Sequence, residues 1–231
     1  MLVTYPTHEI IAPDDLETTG KEQIYSQIER AARTCYKGAD SQSVEARNKF
    51  IANLVKSGHE AMLEHAFITV KFRTDRGVSH EIVRHREASY AQESTRYCNY
   101  SKEKFGNELT FMSIGDALAT DEKTKELDVD AGAKILVVWY DACKYAEKCY
   151  MKMLQLGATP QIARSVLNNS VQTELVMTAN IREWRHVLKL RAAGTTGKPH
   201  PQMKELMMPL LDEFAEIMPE LFGDIKEEMK N

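Results

Sequence analysis

Between positions 84 and 97 the chain reads Arg84-His85-Arg86-Glu87-Ala88-Ser89-Tyr90-Ala91-Gln92-Glu93-Ser94-Thr95-Arg96-Tyr97. Arg84, Arg86 and Arg96 carry fixed positive charges whose forked donors match phosphate or carboxylate. His85 can be neutral or charged near pH 7. With serine hydroxyls interleaved, the stretch suits a phosphorylated ligand. A basic helix end beside the helix's negative pole would account for Arg84-His85-Arg86 alone. A second stretch lies between Asn180 and Arg191. Ile181, Trp184, Val187, Leu188 and Arg191 share one face at helical periodicity, so a guanidinium continues an apolar surface. Such a charge must meet an anion or acceptor, or snorkel to water.

A third cluster, Gly58-His59-Glu60-Ala61-Met62-Leu63-Glu64-His65, invites a zinc reading. A zincin helix needs its two histidines four residues apart, and here they are six apart. The inverted form fails because position 61 is alanine, and no metal site is expected. Gly197-Lys198 resembles the end of a P-loop, but Ala192 and Pro199 exclude that pattern. No Gly-x-Gly occurs, so a Rossmann fingerprint is absent.

The elements that must position these residues follow from periodicity. A strand and turn over residues 1–13 precede a helix capped by Asp14 or Asp15 and running to about Gly38. A second helix spans about 43–57, with Phe50, Leu54 and Val55 inward. Residues 66–72 alternate as a strand with both faces partly buried. Thr74-Asp75 starts a helix through Val78, Ile82 and Val83, which places Arg84, His85 and Arg86 at its end. Residues 89–97 are expected to be extended, so that Gln92, Ser94 and Arg96 line one side. Residues 101–116 read as a surface loop. Residues 116–156 read as mostly helical, broken near 128–132, with an apolar stripe from Ile135 to Leu154 for core or subunit packing. Thr159-Pro160 opens a short helix. A strand over 171–178 precedes a helix capped by Asn180, with Glu183 in the capping-box position. A last helix spans about 201–218, and the charged tail after Phe222 is expected to fray.

The chain of 231 residues can bury a sizeable core, and no repeat or low-complexity linker divides it. The reading is one α+β domain over residues 1–231, with a small, mostly antiparallel sheet flanked by long helices. A net charge of -4 argues against a general nucleic-acid binder and leaves the basic cluster as a local site for a small anion. Cys35, Cys98, Cys143 and Cys149 lack metal-site spacing and suit reduced thiols of a cytoplasmic protein. No signal peptide or membrane span is expected.

The pattern Arg84-His85-Arg86, seven residues, Ser94, one residue, Arg96-Tyr97, with Ser89 in place, resembles the signature of the flavin-dependent (alternative) thymidylate synthases. The resemblance extends in order through residues 23–36, 58–65, 81–97, 157–167 and 178–191. Members of that family often have Asn where this chain has Ala91, and commonly Pro where Asn168 follows Leu167. Residues 192–202 form a longer link than in many relatives.

The resemblance implies reductive methylation of dUMP to dTMP. Methylenetetrahydrofolate would give the carbon, and FAD reduced by NADPH would give the hydride. It implies a homotetramer whose sites draw on several subunits. It assigns Arg191 to the pyrimidine base as the catalytic group. It assigns His59, Arg84, His85, Arg86, Gln92, Asn180, Arg182 and His186 to the cofactor, and Glu81, Arg84, Gln92, Ser94, Arg96, Arg164 and Arg191 to the nucleotide. Neither Cys98 nor Ser94 is needed as a nucleophile. Two other readings stand beside it: a zinc hydrolase built on His59, Glu60, Glu64 and His65, and a nucleotide-binding protein without turnover.

Overall fold

Apolar residues at every second position give the central strand its buried face: Ile68, Val70 and Phe72 are all buried, whereas Phe67 on the other face is exposed. Thr69 and Lys71 are half-buried, so the second face is partly covered, as expected. The computed structural model describes residues 1–229. Its strands are β1 (Leu2–Thr4), β2 (Thr7–Ala12), β3 (Phe67–Asp75), β4 (Ala88–Gln92), β5 (Thr110–Met112) and β6 (Gln172–Asn180). Its α-helices are α1 (Lys21–Tyr36), α2 (Val44–Lys56), α3 (Arg76–Ile82), α4 (Gly115–Thr120), α5 (Val129–Gln155), α6 (Pro160–Ala163), α7 (Ile181–Leu188), α8 (Pro201–Ile217) and α9 (Pro219–Glu228).

The architecture is α+β, as expected. β2, β3, β6 and β4 form one sheet in that order, and β1 pairs with β5 in a separate parallel ribbon. β3 and β6 run antiparallel. Ile181 donates its backbone N–H to Ala66 at 3.0 Å, the Thr69 and Thr178 hydroxyls meet at 2.9 Å, and Arg76 donates to the Val171 carbonyl at 3.1 Å.

The chain divides into two compact units, each discontinuous in sequence. The first holds Met1–Thr7, Phe72–Arg84 and Ala91–Leu175; the second holds His8–Lys71, His85–Tyr90 and the chain from Val176 onward. No linker marks these boundaries. In the first unit Leu109, Phe111, Cys143, Tyr150, Ala163 and Val171 form the core. In the second, buried Trp184 donates its indole N–H to the Ile68 carbonyl at 3.0 Å and stands edge-on to Phe214, centroids 5.7 Å apart. Burying an aromatic or aliphatic side chain of this size contributes about 1.5–3 kcal/mol, which is why the apolar faces of α7, α8 and α9 set the geometry around the second basic stretch.

Several expectations are corrected. Residues 101–116 are not a loop throughout: Leu109, Phe111 and Met112 are buried and carry β5. Extended chain stops at Gln92. Tyr97 and Cys98 both donate backbone N–H to the Ser94 carbonyl, and the Ser94 hydroxyl accepts from Arg96 N–H at 3.3 Å, which curls the segment into a turn. Gln92, Ser94 and Arg96 therefore do not line one side at period two. On α5 Cys143, Ala146 and Tyr150 are buried, and Trp139 donates its indole N–H to Ser170 Oγ at 2.9 Å, whereas Val138 is 70% exposed. In α2, Ile51 joins Leu54 as the buried pair.

Asp15 has φ 52° and makes no side-chain cap; a π turn, Leu16–Gly20, leads into α1 instead. The tail after Phe222 does not fray through residue 228, because Phe222 and Ile225 are buried in α9; Lys230 and Asn231 lie outside the described residues.

Candidate active site

The second unit sets its basic stretch on α7. Asn180 caps the helix, its Oδ1 accepting the Glu183 backbone N–H at 2.8 Å. Ile181, Trp184, Val187 and Leu188 turn inward, while Glu183 and His186, three residues apart, project on a shared side. From Lys189 the helix widens into a π turn, Lys189–Ala193, that carries Arg191. The 3.6-residue phase expected for Arg191 thus breaks before it is reached. Gly194 ends the turn at φ 74°, where a Cβ would lie 3.0 Å from Pro199 Cδ.

Arg191 meets His85. Its Nε donates to His85 Nε2 at 3.2 Å, and His85 Nδ1 lies 3.4 Å from Glu183 Oε1. The His186 ring stands edge-on to His85, with centroids 5.9 Å apart. His85 is 7% exposed. Burial, then the electrostatic influence of Arg191 and His186, push its pKa down to about 4, so the imidazole is neutral at pH 7. Burial also pushes the Glu183 carboxyl upward, with Glu87 adding and His186 opposing. Tyr90 donates its hydroxyl to the His85 carbonyl at 2.8 Å, fixing the backbone there.

Behind this cluster, buried Arg185 forks onto Asp224 at 2.8 and 2.7 Å and donates to the Leu221 carbonyl and, at 3.4 Å, to Glu60. Arg182 is exposed and ion-paired with Glu64. Asn180, Arg182, His186 and Lys189 border a cleft of about 500 Å³ with Glu60 and Glu64. Arg86 is exposed in the turn after His85. His59 is also exposed; it precedes the 3-10 segment Glu60–His65, makes no side-chain cap and does not border this cleft. Glu60 and Glu64 are engaged with arginines, which disfavours the zinc reading of that segment. Among the described residues the grouping able to hold a metal ion is His85, Glu183 and His186, ligand atoms within 4.8 Å of one another.

The first unit carries the other candidates. Asp75 caps α3 through the Val78 N–H at 2.7 Å, and α3 delivers Glu81 and Arg84 at its end. Arg84 and Arg96 are exposed, and the Arg96 guanidinium lies 5.4 Å from the centre of the Tyr97 ring. Arg164 opens a 3-10 turn after α6 and donates to Thr95 Oγ1 at 3.2 Å. Gln92 donates its amide to Ser79 and Thr173 hydroxyls at 2.9 and 3.2 Å, so that amide already serves the protein. Burial pushes the Cys98 thiol up, the reverse of activation. A larger cleft of about 810 Å³, bordered by Met1, Asp141, Lys144 and Tyr145, contains none of the predicted site residues.

Sequence reasoning missed Glu183 as more than a cap and missed buried Thr95 altogether. The Glu183–His186 spacing was the available signal for the first. Thr95 becomes visible only once the turn brings it to Arg164.

Turn-borne cations in one unit, and a guanidinium held by a neutral histidine in the other, suit a protein that handles a small anionic ligand. The family model described as thymidylate synthase complementing protein matches residues 17–220, and the chain belongs to that family. It is 29% identical over 212 residues to the flavin-dependent thymidylate synthase of Corynebacterium aurimucosum, covering 89% of this chain and 81% of that protein. With the flavin-dependent thymidylate synthase of Mycobacteroides abscessus it shares 27% identity over 223 residues, covering 94% and 86%. Among solved structures, the UMP/dUMP methylase PolB from Streptomyces cacaoi bound with 5-Br dUMP aligns with a TM-score of 0.77, covering 98% of this chain and 97% of that one. At 21% identity this is a likeness of fold.

Proposed function

We propose that the protein converts dUMP to dTMP by reductive methylation, with methylenetetrahydrofolate as carbon donor and NADPH-reduced FAD as hydride source. The observation that carries the reading is the contact of Arg191 with buried, neutral His85, which holds a guanidinium ready for a pyrimidine ring. Membership of the family and the names of the curated relatives support the same reaction.

The donor set fits a flavin dinucleotide. Arg84, Arg86 and Arg182 are exposed cations suited to its phosphates. His59 and His186 offer exposed rings for the remainder, with His85, Gln92 and Asn180, already bonded within the protein, as further contacts. Bound flavin would supply the hydride; the protein's own work is positioning and electrostatics. Arg191 would stabilise negative charge as it builds on the pyrimidine nitrogen and carbonyls. Arg96, Arg164 and Arg84 would take the nucleotide phosphate, with Ser94, Glu81 and Gln92 as polar contacts. The domain would act as a single functional unit over residues 1–231 within a cytoplasmic homotetramer that shares residues between subunits.

The test is the visible spectrum of the purified protein, before and after NADPH and dUMP without oxygen, followed by assay of dTMP. Flavin bands that bleach, and dTMP that appears only with the folate, are expected. A protein that neither binds added FAD nor oxidises NADPH would overturn the proposal. UMP belongs in the same assay, since one structural neighbour is described as a UMP/dUMP methylase.

A further inference from the structure

A guanidinium has donors only and no acceptor. When Arg191 Nε–H points at His85 Nε2 from 3.2 Å, that nitrogen must therefore present its lone pair. In a neutral imidazole the single ring proton then sits on Nδ1, and Glu183 Oε1 lies 3.4 Å from that nitrogen. The opposite tautomer would set N–H against N–H on one side and lone pair against carboxylate on the other. A doubly protonated ring would lose the Arg191 contact. The Arg191 contact thus selects the state with its proton on Nδ1.

We propose that Glu183 is a positioning residue: by accepting the Nδ1 proton of His85 it fixes the tautomer whose Nε2 aims the Arg191 guanidinium. The inference rests on the assignment of Arg191 to the pyrimidine. It also explains why a carboxylate is tolerated at 9% exposure, a costly placement without a task. Helix capping is not that task, because the cap uses the Glu183 backbone N–H and leaves its side chain uninvolved. The charged and titratable groups around His85 are Arg191, Glu183 and His186, with Glu87 acting on Glu183. Tyr90 secures the histidine's backbone from β4. His85, Glu183 and His186 also satisfy the spacing of a metal site, and the experiment separates the two, since a metal on Nδ1 would exclude a proton there.

The measurement is long-range proton–nitrogen correlation on the full-length protein with nitrogen-15 histidine, the His85 signals being assigned by their loss in His85→Gln. The wild type should show His85 protonated on Nδ1 and bare on Nε2 at pH 7. Glu183→Leu should mix the tautomers and lower kcat about tenfold or more, in the range typical of lost supporting partners, while KM for dUMP shifts less. Glu183→Gln keeps an acceptor for Nδ1–H and should restore both the tautomer and most of kcat. The proposal falls if wild-type His85 carries its proton on Nε2. It falls equally if Nδ1 is metal-bound, if Glu183→Leu leaves tautomer and kcat unchanged, or if Glu183→Gln behaves like Glu183→Leu. Should Glu183→Leu fail to fold, the wild-type tautomer and the Gln variant still decide. The tautomer is read without turnover, so a wild type that makes no dTMP would count against the proposed reaction and not against this contact.

Discussion

Arg84 and His85 are adjacent in sequence, yet one belongs to the first unit and stands in water while the other belongs to the second and is sealed from it. The same contrast runs through the two sets of candidate residues. Arg84, Arg96 and Arg164 lie on turns, are exposed, and make at most light contacts such as Arg164 to Thr95. Arg191, His85 and Glu183 are held to one another against the packed helices of the second unit. Exposed guanidiniums exchange water for phosphate at small cost and are screened by salt. A half-buried guanidinium oriented by a hydrogen bond needs little reorganisation when charge develops beside it. The difference teaches which set should govern binding and which should govern rate.

The largest expected effect is from Arg191→Ala. Steady-state assay should show kcat lower by about 10²–10³, the scale of losing one preorganised electrostatic donor; a loss confined to KM would erase the contrast. Next, Arg164→Ala should raise KM for dUMP about tenfold or more with kcat nearly intact, the signature of uniform binding. Its wild-type counterpart should lose kcat/KM as salt is raised. A collapse of kcat in this variant would move the first unit's arginines into the chemistry.

Asp224→Ala tests the support behind the rigid set. It strips the bidentate partner from buried Arg185, and denaturant titration should show about 3 kcal/mol less stability. The smallest effect is in pH. His85 has a folded pKa of about 4 against 6.5 for the ordinary side chain. Between those values the unfolded chain binds the extra proton, so this contribution is level above pH 6.5 and stability falls as pH drops toward 4. His85→Gln should flatten that part of the curve, whereas Arg84→Gln should leave it unchanged.

Much of this was legible in the sequence. Strand β6, the cap at Asn180, the helix starts at Ser43 and Asp75, and helices α2, α7 and α8 follow from local pattern and local hydrogen bonds. The motif identified the arginines without revealing their partners. Contacts such as Arg191 to His85 join residues 106 positions apart, and no local rule carries that information. Residues 89–97 looked extended because serine and threonine are neutral in that pattern, and the Ser94 hydroxyl and carbonyl then bent the chain after Gln92. The tail after Phe222 looked frayed because its charges outnumber its apolar residues, but Phe222, Ile225 and the Asp224–Arg185 pair anchor it.

The π turn at Lys189–Ala193 has a consequence for how this chain can change over evolutionary time. A π turn holds one residue more than the α turn it replaces, and such bulges recur at functional sites. Removing a single residue there would let an ordinary helix run on with better hydrogen bonds, and would swing Arg191 by about 100° around the axis. A sturdier helix would then be a blind one. At this position the number of residues matters to the placing of Arg191 as much as their identity.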